Sequence, residues 1–240
     1  MQYKPKLLVL DIETKPAKGY FWGLWDQNIG LNQIEDEGGV LCFAAKWVGE
    51  KEVFFYSDWE HGQREMILNA HRLLSECDAV VTYNGDKFDV PKLMVEFIQQ
   101  GLKMPPPLTS IDLYKFVKSK LKLLSNKLAF VGDFFKIGAK IKNEGFGLWL
   151  KVMAGDVKAQ GRMQRYCVGD VKLTEKAYKK FRPFMLNHPH LGDIGSHACG
   201  ACGSKHVQSR GKRRTKSFHI QRIQCQTCGS WQDGKRQKVT

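Results

Sequence analysis

Leu7-Leu8-Val9-Leu10-Asp11-Ile12-Glu13 is the stretch on which the reading of this chain turns. Four consecutive apolar residues describe a strand buried on both faces, since a one-sided strand would alternate with polar residues. The run ends in Asp11 and Glu13, two positions apart, so both carboxylates leave the strand on one face while Ile12 points away. Like charges at the end of a buried strand repel and lose hydration, which a hard cation such as Mg²⁺ or Mn²⁺ would offset. The plainer alternative is a strand that stops there with both acids solvated.

Working outward, residues 14–39 form a long irregular segment carrying Tyr20, Phe21, Trp22 and Trp25. Aromatics beside a nucleic-acid site can stack on bases. The expectation here is that most of them bury the loop against the body. Val40–Val48 and Glu52–Tyr56 read as two strands joined by a hairpin-length turn, neighbouring the first strand in antiparallel fashion. His61–Glu76 has helical spacing. Ala79–Tyr83 is a short apolar strand ending in the turn signal Asn84-Gly85, and Pro91 opens the next helix. Ser110–Leu113 reads as a short edge strand and Leu128–Phe135 as a helix. From Asp156 to about Phe184, Tyr166, Asp170, Leu173, Ala177 and Phe181 recur along one helix face. This order specifies an α/β body with a mixed sheet. Pro183, Pro189, Gly192 and Gly195 mark a linker, giving a body over 1–187, a linker over 188–198 and a basic tail over 199–240.

Acids occur where elements meet: Asp11 and Glu13 after the first strand, Asp89 at a strand-to-helix junction, and Asp170 on the last helix one turn beyond Tyr166. Ligands of α/β sheets bind beyond strand ends, so the first three can face one crevice. Asp170 and Tyr166 join them if the last helix crosses the first strand. Asp89 could equally cap its helix, and Tyr166 could be ordinary core. Asp86 reads as a turn residue and Asp112 as a solvated strand-end group.

Leu-Asp-Ile-Glu-Thr, Tyr-Asn-Gly-x-x-Phe-Asp and Tyr-x-x-x-Asp, in this order, resemble the three motifs of the DEDD 3′→5′ exonucleases. The Tyr-x-x-x-Asp form resembles the DEDDy branch, as in proofreading domains of family B DNA polymerases. Ser125-Asn126-Lys127-Leu128 and Ile137-Gly138-x-Lys140 are similar to that family's middle segment. The resemblance covers about residues 5–185. It implies a ribonuclease-H-like, mixed five-stranded sheet flanked by helices, and hydrolysis of phosphodiesters from a 3′ end with two Mg²⁺ or Mn²⁺ ions. It further implies metal ligation by Asp11, Glu13, Asp89 and Asp170, orientation of water by Tyr166, and contacts to the terminal nucleotide from Asn84 and Phe88.

Of seven cysteines, Cys42, Cys77 and Cys167 are scattered through the body and read as buried free thiols. Cys199-x₂-Cys202 and Cys225-x₂-Cys228, each pair followed by Gly-Ser, form the two knuckles of a structural four-cysteine zinc site and resemble a small zinc ribbon. His197, His206 and His219 are possible substitute ligands, although four thiolates complete such a site. The tail carries ten Lys+Arg and one acid, against 28 basic and 23 acidic residues in the rest of the +14 chain. That imbalance implies a polyanionic partner. Arg213 and Arg214 are the candidate phosphate contacts, with Phe218 and Trp231 available for stacking.

The resemblance to proofreading domains implies single-stranded DNA as the first partner, with RNA next; a replication protein docking on the ribbon is a further possibility. An RNA-trimming nuclease, a single-strand-specific endonuclease and a non-catalytic recruitment module are the rival readings. No segment has the length or apolarity of a membrane span, no signal-peptide core is present, and the cysteine pattern fits a reducing, intracellular and cytoplasmic setting.

Overall fold

A computed structural model of the chain describes residues 5–26, 28–186, 188–191 and 198–239. Gly192 and Gly195 of the expected linker, and His197, lie outside the described residues. In chain order the elements are β1 (Leu7–Lys15), β2 (Lys18–Gly19), β3 (Ile34–Asp36), β4 (Gly39–Trp47), β5 (Phe54–Ser57), α1 (Asp58–His61), α2 (Gln63–Glu76), β6 (Ala79–Thr82), α3 (Asp89–Gln99), β7 (Ser110–Asp112), α4 (Leu113–Lys120), α5 (Leu128–Phe134), α6 (Phe146–Met153) and α7 (Val157–Phe181). The tail adds β8 (Val207–Arg214), β9 (Phe218–Cys225) and β10 (Trp231–Lys238).

Five strands form one mixed sheet in the order β5-β4-β1-β6-β7, antiparallel between β5, β4 and β1 and parallel between β1, β6 and β7. This is the ribonuclease-H-like arrangement. β1 lies at its centre, and the two cores on either side follow its alternation. Leu8, Leu10 and Ile12 pack with Met66, Ile67, Leu73 and Leu74 of α2 and with Leu93 and Phe97 of α3. Leu7 and Val9 pack on the other face with Met163, Cys167, Val171 and Tyr178 of α7. Asp11 and Glu13 continue the Leu7–Val9 face, so the residues that make β1 a core strand also aim both acids at α7.

A buried ion pair locks α7 onto the sheet. Lys46 Nζ of β4 sits 2.9 Å from Glu175 Oε2, and the other oxygen of Glu175 accepts from Gly49 N at 2.8 Å. A carboxylate bearing both a cation and a backbone donor is compensated for its burial.

Three expectations change. The strand does not stop at the acids: β1 runs on to Lys15, with a bulge between Glu13 and Thr14 against β4. The aromatic loop is not buried against the body, since Trp22 and Trp25 are 99% and 84% exposed. Its stem is nevertheless closed, with Tyr20 N donating to Gln33 O and Gln33 Nε2 donating back to Tyr20 O. Asp112 is not solvated: it is buried and caps α4, accepting from Tyr114 N and Lys115 N, and also from Asn84 N across the β6–α3 turn.

The tail is a three-stranded antiparallel sheet, β10-β9-β8, with Cys199, Cys202, Cys225 and Cys228 gathered at one end. It meets the end of α7 through Ser230, whose Oγ donates to Arg182 O at 3.5 Å. Among the described residues, no helix is long and apolar enough to cross a membrane.

Candidate active site

The pairing of β6 with β1 ends early and this opens the site. β6 pairs with Leu7, Leu8 and Val9 only, so beyond Val9 that edge of β1 has lost its neighbour. The Ile12 N–H, which faces the vacated side, donates instead to Asp89 Oδ1 at 3.0 Å. Asp89 therefore does not cap α3: the position before the helix is Phe88, which makes no side-chain cap, and Asp89 is the first helical residue, reaching back to β1. The turn that delivers it is tight. Asn84 adopts φ +73, and a side chain on Gly85 would collide with Thr82 at 2.4 Å.

Asp11, Glu13 and Asp170 offer carboxylate oxygens that all lie within 4.8 Å of one another. Asp170 is 2% exposed, and its Oδ1 is buried without a hydrogen-bond partner. Its other oxygen lies 2.8 Å from Lys140 Nζ. Lys140 stands over the ring of Tyr166 at 4.8 Å and hydrogen-bonds the phenol, while Trp149 of α6 packs edge-on against that ring at 6.2 Å. Behind the cluster the Cys167 thiol donates weakly to the Asp11 backbone carbonyl at 3.6 Å.

Crowded, buried carboxylates resist ionisation. Burial, then the charges of Asp89, Glu13 and Asp170, push Asp11 well above the usual carboxylate range. Burial and Asp170 raise Glu13 to about 8. Burial raises Asp89 to about 6 against the opposing hydrogen bond from Ile12. Asp170 is raised by burial, with Lys140 pulling the other way. Burial works against the charge of Lys140, yet Asp170 and Tyr166 hold its pKa above the ordinary lysine value. Three convergent carboxylates, one of them with an orphaned oxygen, and a protonation state that a cation would reverse together fit a hard divalent ion.

Of the residues expected at this site, Asp11, Glu13 and Asp170 form the cluster, Asp89 is clamped beside it on β1, and Tyr166 is linked to it through Lys140. Asn84 and Phe88 lie on the β6–α3 turn, with Phe88 40% exposed. Lys140 is the residue whose place here sequence reasoning missed. It belongs to an irregular segment with no periodicity, and only its position in the middle-segment resemblance singled it out.

In the tail, Cys199 Sγ lies 3.6 Å from Cys228 Sγ, and Cys202 Sγ 3.7 Å from Cys225 Sγ. A tetrahedral site with Zn–S bonds of about 2.3 Å places its sulfurs about 3.8 Å apart, whereas a disulfide needs about 2.05 Å. The quartet matches the former. Hydrogen bonds within the quartet push the Cys228 thiol far below its usual range and the Cys199 thiol far above it, so without an ion the negative charge gathers on Cys228. Neither His206 nor His219 joins the four sulfurs. The Arg213 guanidinium is engaged by Asp233 at 2.6 and 3.1 Å, while Arg214 is exposed.

Comparison with known proteins agrees with this architecture. A DNA polymerase from Pyrococcus glycovorans is 26% identical over 202 residues, covering 74% of this chain and 25% of the polymerase. The chain thus spans about a quarter of that relative's length. The family model described as RNase_H superfamily matches residues 8–182, from the start of the acid-bearing strand to the end of α7, and the chain belongs to the RNase H superfamily.

Proposed function

We propose that this chain is a metal-dependent 3′→5′ exonuclease of the DEDDy type that hydrolyses single-stranded DNA, aided by a zinc ribbon that grips nucleic acid. One observation carries the reading: carboxylates from β1 and α7 converge within 4.8 Å, with a fourth acid clamped to β1 beside them. A phosphodiester repels nucleophiles through its own charge, and such a cluster is the donor set that two Mg²⁺ or Mn²⁺ ions require. Asp11, Glu13 and Asp170 would hold the ions, with Asp89 supporting Asp11 from the side of Ile12. Divalent ions held there supply Lewis acidity toward the phosphate and lower the pKa of bound water.

The chain's own residues do the positioning. Burial raises the Tyr166 pKa above its ordinary value, so the phenol stays protonated and orients water as a hydrogen-bond donor without acting as a base. Lys140 fixes the phenol and the Asp170 carboxylate relative to each other. Phe88 and Asn84, on the turn that carries Asp89, would meet the terminal nucleotide. In the tail, the four cysteines hold one structural Zn²⁺ and Arg214 contacts phosphate. Arg213 serves the sheet through Asp233 as much as it serves the ligand. DNA takes precedence over RNA because the matched relative is a DNA polymerase.

Polarity is the test. A single strand labelled at its 5′ end should shorten to a ladder in Mg²⁺ or Mn²⁺. The same strand labelled at its 3′ end should release labelled mononucleotide at once. Internal fragments appearing first from both labels would rule out the exonuclease in favour of an endonuclease.

A further inference from the structure

A concavity away from the carboxylate cluster lies where the ribbon meets the chain that follows α7. It encloses about 720 Å³, the scale of a small-ligand site. Its floor is one face of the ribbon sheet, which the strand register specifies. Trp231 and Asp233 are two apart on β10, Asp233 pairs with Arg222 of β9, and Arg213 of β8 pairs with Ile220. Alternation then puts Trp231, Asp233, Arg222 and Arg213 on the same side. His190 also lines the cavity, its ring so near the Gly200 backbone that a side chain there would meet it at 2.4 Å.

The two arginines differ in a way that matters. Arg213 is tied to Asp233, so its charge is matched and its position fixed. Arg222 forms no ion pair among the described residues; its guanidinium lies 5.9 Å from the Trp231 ring centroid. Trp231 is 37% exposed and faces the cavity. A ligand suited to this floor has a flat π-face to lie against the indole and an anionic group for the unmatched guanidinium, within a tail already rich in cations. A nucleotide has both.

We propose that this face of the ribbon seats one nucleotide of the substrate strand, its base on Trp231 and its phosphate on Arg222. The proposal rests on the nuclease reading above and extends it by naming a second point of contact, remote from the carboxylates. The spacing gives it a length signature. Arg182, whose carbonyl accepts from the cavity-lining Ser230, lies twelve residues beyond Asp170 on α7 and its continuation, about 18 Å of helix. Stacked nucleotides advance about 3.4 Å each, so the strand must extend about five nucleotides from the 3′ end before it reaches the seat.

The experiment measures binding of fluorescent single strands of two to ten nucleotides to the full chain carrying Asp11→Ala, which prevents degradation. Affinity should rise stepwise near five nucleotides. Trp231→Ala should remove that step, weakening octamers roughly tenfold while leaving dinucleotides unchanged. Trp231→Phe should retain most of the step, and Arg222→Gln should lower it several-fold. Zinc content of each variant identifies any loss that comes from an unfolded ribbon; in that case Trp231→Phe and Arg222→Gln decide. Zinc-loaded variants that reproduce the parent's length series would overturn the seat. So would a Trp231 effect of equal size on dinucleotides and decamers. If the wild-type chain cleaves strands and these variants bind normally, only this proposal fails; if the wild type cleaves none, the nuclease reading itself fails.

Discussion

Binding of Mn²⁺ or Mg²⁺ at the carboxylate cluster should displace protons, and the extent follows from the geometry. Asp11, Glu13 and Asp170 share a space 4.8 Å across, and Glu13 titrates at about 8 without a metal. A group of that pKa is about nine-tenths protonated at pH 7, and metal ligation requires it ionised. Asp11, pushed up by burial and by its three neighbours, adds to the same count. For one proton with a pKa of about 8, the apparent dissociation constant should fall about fiftyfold between pH 6 and 8 and flatten above; a second proton steepens the slope. Titration calorimetry with Mn²⁺ in buffers of different ionisation enthalpy reads the released protons directly. An affinity that is flat from pH 6 to 8, with heats independent of buffer, would refute the picture of a cluster kept neutral by its own crowding.

The same linkage sets stability. Glu13 and Asp89 have folded-state pKa values above their unfolded ones, so these two groups stabilise the metal-free fold most at low pH. It should lose that contribution as pH rises through about 6 and then about 8, and added Mn²⁺ should restore it; melting temperatures across pH 5–9 with and without ion check the sign. Glu175→Ala leaves the Lys46 ammonium buried and unpaired, and chemical denaturation should show a loss of about 3–5 kcal/mol. Tyr166→Phe should retain the Mn²⁺ affinity but slow single-turnover hydrolysis by about ten- to a hundredfold, because only the hydroxyl proposed to orient water is removed. A thiol-specific reagent should find the four tail cysteines protected until a strong zinc chelator is added, after which near-ultraviolet signals from Trp231 should change.

Much of this was legible in the sequence, and the exceptions share a physical cause. Leu7–Leu10 could only be a doubly buried strand, and a period of two then put Asp11 and Glu13 together on one face. Helical spacing placed Tyr166 and Asp170 on one side of α7, and the two Cys-x₂-Cys pairs announced their quartet. Lys140 carried no such signal, because an irregular segment has no period and its role arises only from tertiary proximity to Asp170. Asp112 was misjudged as a solvated strand end, whereas for Asp89 the sequence left capping and site membership both open. A capping residue and a backbone-bracing residue look alike in sequence, and the short β6 decided which donor each acid would meet. The aromatic loop misled because apolar composition implies burial, whereas here the closed stem from Tyr20 to Gln33 holds Trp22 and Trp25 out in solvent.

The most direct test compares wild type with Asp11→Ala and Asp170→Asn on one 5′-labelled single strand, measuring nucleotide release and strand affinity together in Mg²⁺. Removal of either acid should slow release at least about a thousandfold while affinity for the strand stays within a few-fold, since the proposal gives these carboxylates to the reacting phosphate and not to the grip. Release that persists in both variants would contradict the assignment of the cluster as the catalytic centre.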